Sequence, residues 1–134
     1  GYTAVEGWTL GKPVLTYVRD ASVPPSWDDF PGINTNPATL YDTLVAIIEG
    51  RYNLSDIGRR SRRYAERYYS IEAVALRMGA LYLDKGGLSP RASARLREHL
   101  ARVEQVQVAR LTQPLVENTG ETASAPLLHV AASA

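Results

Sequence analysis

Gly1-Tyr2-Thr3-Ala4-Val5-Glu6-Gly7-Trp8-Thr9-Leu10-Gly11-Lys12-Pro13-Val14-Leu15-Thr16-Tyr17-Val18 is the stretch on which the fold expectation rests. Residues 2–10 carry a helical pattern, and Gly11 stands where a left-handed residue closes a helix. Pro13 bars continuation. The run 14–18 is short, β-branched and apolar on both faces, as in a strand buried within a parallel sheet. One such strand is not stable alone, because parallel strands need neighbours and covering helices. Only a short strand around Ile33 is predicted to follow. The partners are therefore expected upstream of Gly1, in a chain cut open at its start, where no initiator methionine stands.

Beyond the strand, residues 20–36 hold Pro24, Pro25, Pro31 and Gly32 and read as a loop pinned to the body by Trp27 and Phe30. Asn36-Pro37 is predicted to open a helix, with a capping side chain followed by proline at the first helical position. Its apolar face is Leu40, Leu44, Ile47 and Ile48, and Gly50 ends it. A second helix is expected from Asn53 to Tyr69, with Ile57, Tyr64 and Tyr68 on its buried side. Ser70 caps a third, in which Ile71, Val74, Ala75, Met78, Leu81 and Tyr82 recur at helical spacing. Gly86-Gly87 stop it. Residues 90–112 read as a further helix with a narrow stripe at Leu96, Leu100 and Val103, and residues 113–134, small and polar without period, as a disordered tail.

Composition bounds the rest. Among the 134 residues, 45% are hydrophobic and 22% charged, the balance of a globular protein. No apolar run is long enough for a spanning helix, so the default expectation is a cytoplasmic chain without a transmembrane segment. With no cysteine and only His99 and His129, thiolate chemistry is excluded and metal ligation has little to work with. Fifteen basic and 14 acidic residues leave a net charge of +1, which does not favour nucleic acid as a partner. Basic charge is local, at Arg59, Arg60, Arg62, Arg63 and Arg67, and its spread around more than one helix face suits a solvated surface.

Gly1, Tyr2 and Thr3 would leave open backbone N–H groups at a helix start, which with the helix dipole suit a phosphate. Glu6, more than a turn further on, could accept hydrogen bonds from two ribose hydroxyls. On their own these residues fit an ordinary helix start and a solvated glutamate at least as well.

The stretch resembles the donor-binding motif of the retaining glycosyltransferases with two Rossmann-like domains (the GT-B, family-4-like group). In that motif a pair of spaced glutamates is followed by a small-residue helix, then glycine, any residue, proline and valine entering a strand. Glu6, Gly11, Pro13 and Val14 match its second half in register, and Gly1 falls on a glycine of the motif. Asn34-Thr35-Asn36-Pro37, then Arg63 through Ser70, and finally Leu81-Tyr82 resemble later segments, so the likeness covers about the first 84 residues. The first glutamate would precede Gly1 by two positions and is absent. Gly7 and Trp8 replace the usual Ala-Met, and Arg19-Asp20 with the proline-rich loop replace a glycine pair and an acidic residue.

The resemblance implies that residues 1–84 are the C-terminal part of a Rossmann-like nucleotide-sugar-binding domain, with a helical extension over 85–112 and the tail beyond. By it, Gly1, Tyr2 and Thr3 face the donor diphosphate and Glu6 the ribose, with no residue in a catalytic role and no metal or cofactor expected. The partners are a nucleotide-sugar donor, an unidentified acceptor and the missing N-terminal portion of the same enzyme, and this piece alone is expected to be inactive. Two other readings stay open: a non-catalytic helical interaction module acting through residues 90–112, and a sugar-nucleotide epimerase of the same fold.

Overall fold

The computed structural model of the chain describes residues 2–19 and 29–115. Gly1, Trp27 with the rest of the loop 20–28, and residues 116–134, His129 among them, lie outside the described residues. The element order is α1 (Tyr2–Thr9), β1 (Leu15–Thr16), β2 (Ile33–Asn34), α2 (Leu40–Ile48), α3 (Leu54–Tyr69), α4 (Ile71–Lys85) and α5 (Pro90–Thr112).

Helices account for 68% of the described residues, and the sheet consists of two strands of two residues each, paired in parallel as Leu15 with Ile33 and Thr16 with Asn34. This corrects the expectation of a Rossmann-like α/β domain. Of the apolar run 14–18 only two residues pair, Tyr17 is 57% exposed, and no third strand forms among the described residues. A strand this short contributes few ladder bonds, so the packing of helices carries the fold instead.

The core forms where α1 lies on α3. Ala4, Trp8, Tyr64 and Ala65 are buried together, with Val5, Val14, Phe30 and Tyr68 packed around them. Trp8 meets Phe30 and Tyr64 edge to face, with ring centroids 5.6 and 5.2 Å apart. Such geometry sets the positive ring edge against the negative face of its neighbour. At the other end of the contact the backbone of α3 approaches the turn after α1. Gly11 adopts φ +67°, and its N–H and that of Lys12 bond back to the carbonyls of Trp8 and Gly7, both at 2.9 Å.

That approach requires glycine at position 58, since a Cβ there would overlap the Gly11 carbonyl oxygen. An ordinary Gly→Ala change inside a helix gains about 1 kcal/mol of propensity. Here the obstacle is backbone already held by two hydrogen bonds, so Gly58→Ala is expected to be a net loss of about 1–3 kcal/mol. A urea midpoint equal to or above that of the wild type would show that the turn yields freely.

Helix ends follow local chemistry. Asn53 Oδ1 accepts from Asp56 N at 3.0 Å, Ser70 Oγ from Ala73 N at 3.1 Å, and Ser89 Oγ from Ala92 N at 3.2 Å. Pro90 at the first turn of α5 lacks the N–H that would be unsatisfied there. The predicted start of α2 is corrected. Asn36 Oδ1 accepts from the N–H groups of Ala38 and Thr39, which closes a turn, and the helix begins only at Leu40.

The sidedness of α4 is also corrected. Ile71, Val74, Met78, Leu81 and Tyr82 are exposed, whereas Ala73 and Gly79 are buried. The small residues let α5 come close: a Cβ at Gly79 would stand 2.5 Å from Leu100 Cδ2. α5 therefore has a partner in α4. Gln107, buried at 6% exposure, ties it further by accepting from Ser70 Oγ at 2.9 Å and donating to the Glu66 carbonyl at 3.0 Å.

Candidate functional site

Two groups of residues are candidates. The first is the start of α1. Tyr2 opens the helix, Thr3 and Glu6 are exposed on it, and Gly1 lies outside the described residues, so the proposed phosphate cradle is described only from Tyr2 onward. No hydrogen bond or ion pair among the described residues engages the Glu6 carboxylate. At the opposite end of α1 the Arg62 guanidinium donates to the Thr9 carbonyl, and its charge meets the negative end of the helix dipole. The order of helix, left-handed Gly11, Pro13 and β1 is as the sequence predicts, although the strand is shorter.

The second group was read from sequence as a solvated arginine surface, and the structure sorts it. Arg59 pairs with Asp56 at 2.6 Å, and Arg62 with Glu66 at 2.9 Å. Arg63 spans further: it reaches Glu66 at 3.3 Å and the backbone carbonyls of Leu111 and Gln113, each at 3.0 Å. Arg67 donates to Asp29 Oδ2 at 2.9 Å, and the Tyr68 hydroxyl donates to the same oxygen at 3.0 Å. Arg60 has no ion pair or hydrogen bond among the described residues.

Arg60, Arg63, Tyr64, Arg67 and Tyr68 recur at i, i+3, i+4, i+7 and i+8, so one face of α3 carries them all. With Asp29 they line a cavity of about 130 Å³. The helical spacing was visible in the sequence. What it lacked were the distant partners, Asp29 from the segment after the loop and the last carbonyls of α5.

Tyr64 is the buried member, 3% exposed, and its hydroxyl meets no partner in hydrogen-bond geometry, the Tyr69 phenol being its neighbouring hydroxyl. Burial, followed by the Tyr69 and Tyr68 phenols and Asp29, pushes its pKa from 10.0 up to about 12. A raised pKa on an acid means that folding favours the neutral form. Stability from this group is thus intact below pH 10, where both states are protonated, and declines as the unfolded chain ionises first. Unfolding free energy should fall by about 1 kcal/mol between pH 9 and pH 11 beyond the loss seen in Tyr64→Phe. Parallel pH profiles for the two proteins would refute this.

Other expectations resolve plainly. His99 is exposed and touches only the Arg102 guanidinium, at 3.2 Å, so it shows no arrangement for a base. No group of three metal-ligating side chains occurs among the described residues, and no described helix is long and apolar enough to cross a membrane. Comparison with protein-family models, with characterised proteins and with solved structures gave no match to this chain.

Proposed function

We propose that the chain contributes to the donor site of a sugar-transferring enzyme, with the amides at the start of α1 facing the diphosphate of a nucleotide sugar and Glu6 the ribose. The observation that carries this reading is Glu6 itself, an exposed carboxylate without a partner among the described residues, on a helix whose N-terminal end is the positive end of its dipole. An anion bound by those amides would place the next sugar ring along the helix, within reach of a carboxylate a turn further on. The turn through Gly11 and Pro13 into β1, which bears the resemblance to glycosyltransferases, holds α1 against α3 in that attitude.

In this reading the segment orients the donor, which is a proximity contribution; no residue here acts as acid, base or nucleophile. The remaining groups, including those that stabilise the leaving diphosphate, come from protein outside these residues. Calorimetric titration of nucleoside diphosphates against the full-length wild type and its Glu6→Ala variant tests the proposal. Equal affinities would sink it.

The reading of α5 as a free recruiting helix loses its ground, since α5 packs on α4 and is pinned through Gln107 and Arg110, the latter on Glu72 at 2.9 Å. An interaction role would fall to α4, whose Ile71, Val74, Met78 and Leu81 form an exposed apolar stripe.

A further inference from the structure

We infer that the cavity on α3 lined by Arg60, Arg63, Tyr64, Arg67, Tyr68 and Asp29 is a binding site for the phosphate group of a small soluble molecule, separate from the start of α1. The inference does not depend on the sugar-transfer reading.

Charge comes first. Leaving aside the Arg59–Asp56 and Arg62–Glu66 pairs, the cavity is lined by Arg60, Arg63 and Arg67 against Asp29. Among the described residues two positive charges remain uncompensated, which matches a phosphate monoester dianion rather than a single carboxylate. A neutral ligand would leave that excess in place.

Geometry points the same way. Arg63 is held at its far end by the carbonyls of Leu111 and Gln113, so its guanidinium is fixed before any ligand arrives. A pre-ordered fork loses less freedom on binding an oxyanion than a free surface arginine does. Arg67 and Tyr68 already converge on one carboxylate oxygen, that of Asp29. This arm therefore has the donor arrangement for an oxyanion and is occupied by one from the chain itself. Arg60, exposed on the rim and unpaired among the described residues, has its donors available for an incoming anion. Tyr64 contributes a wall, and its buried hydroxyl has no hydrogen-bond partner among the described residues. The rings of Tyr64 and Tyr68, with centroids 4.8 Å apart, give the cavity an apolar wall, beside which charge pairing is stronger than in open water.

The test is an NMR titration of the full chain with inorganic phosphate, against sodium chloride of equal ionic strength. Phosphate is expected to shift the arginine side-chain resonances of α3 saturably, where chloride does not. Arg60→Gln should weaken phosphate binding about tenfold or more, because it removes two charge-assisted donors at a solvent-exposed position without touching the core. Arg59→Gln, the same change one position away and outside the cavity, should leave binding within about twofold. Equal weakening by both variants would mean diffuse attraction to a basic surface and would overturn the site. So would saturable binding that survives Arg60→Gln, since it would place the anion elsewhere, as would no binding by the wild type. Glu6→Ala should not alter phosphate affinity, which keeps this outcome distinct from that of the donor-site proposal.

Discussion

Replacing Trp8 by alanine should lower the free energy of unfolding by about 3–5 kcal/mol, the range for emptying a buried aromatic site. Trp8 is 5% exposed and touches three rings from two parts of the chain: Phe30 before β2, and Tyr64 and Tyr69 on α3. Truncation would open a cavity between α1 and α3, lined by the rings of Phe30, Tyr64 and Tyr69. Domains are stable by roughly 5–15 kcal/mol in total, so such a loss takes a large share of the margin. Trp8→Phe is the informative companion. The indole N–H is buried without an acceptor among the described residues, a cost that phenylalanine removes while keeping most of the ring contact. Urea unfolding followed by circular dichroism should therefore put Trp8→Phe within about 1 kcal/mol of the wild type and Trp8→Ala far below it. If alanine costs under about 1 kcal/mol, the aromatic cluster is not what joins the two helices.

Trp8 also shows what the sequence conveyed and what it withheld. It stands, with Gly7, where the resembling family has Ala-Met. In the structure the two residues work as a pair. Trp8 fills the core, and Gly7 makes room for Val14, whose Cγ2 would lie 2.6 Å from a Cβ at that position. The swap of a small for a large residue belongs to the packing of α1.

Helix limits other than the start of α2 were legible because they depend on residues close in sequence. Asn53, Ser70 and Ser89 cap through their own side chains, and Gly11, Gly50, Gly86 and Gly87 take positive φ. Sidedness was not. On α4 the apolar period marked Ile71, Val74, Met78 and Leu81, yet α5 packs where Ala73 and Gly79 allow backbones to approach. Hydrophobic periodicity finds a face that gains from burial, whereas close helix packing needs small residues, and here the two select different sides. The fold class failed for a related reason. A mostly apolar run of five residues and a family likeness suggested a buried parallel strand, but pairing depends on partner strands that residues 14–18 do not specify. For the arginine cluster, counting faces was insufficient, because Asp29, Leu111 and Gln113 decide which guanidiniums are held in place and all three lie far off in sequence.

Glu6→Ala should weaken nucleotide binding by the full-length protein on the order of tenfold to a hundredfold, since a hydrogen bond to a charged group contributes about 1.5–3 kcal/mol. The same variant should unfold within about 0.5 kcal/mol of the wild type, because the side chain is exposed and engages nothing among the described residues. This split between affinity and stability is what makes the variant decisive. A glutamate that merely solvates the surface of α1 would move neither quantity, and one that held the helix in place would move both. Glu6→Gln refines the assignment by keeping size and hydrogen-bonding capacity while removing the charge. A ribose whose hydroxyls both donate to the carboxylate would lose most of its stabilisation with glutamine, whose amide offers only one oxygen acceptor. The corresponding 2′,3′-dideoxynucleoside diphosphate, lacking both hydroxyls, should bind wild type and Glu6→Ala alike. If the dideoxy ligand discriminates between the two proteins as strongly as the ribonucleotide does, Glu6 acts on some other part of the donor, and its place at the ribose must be given up.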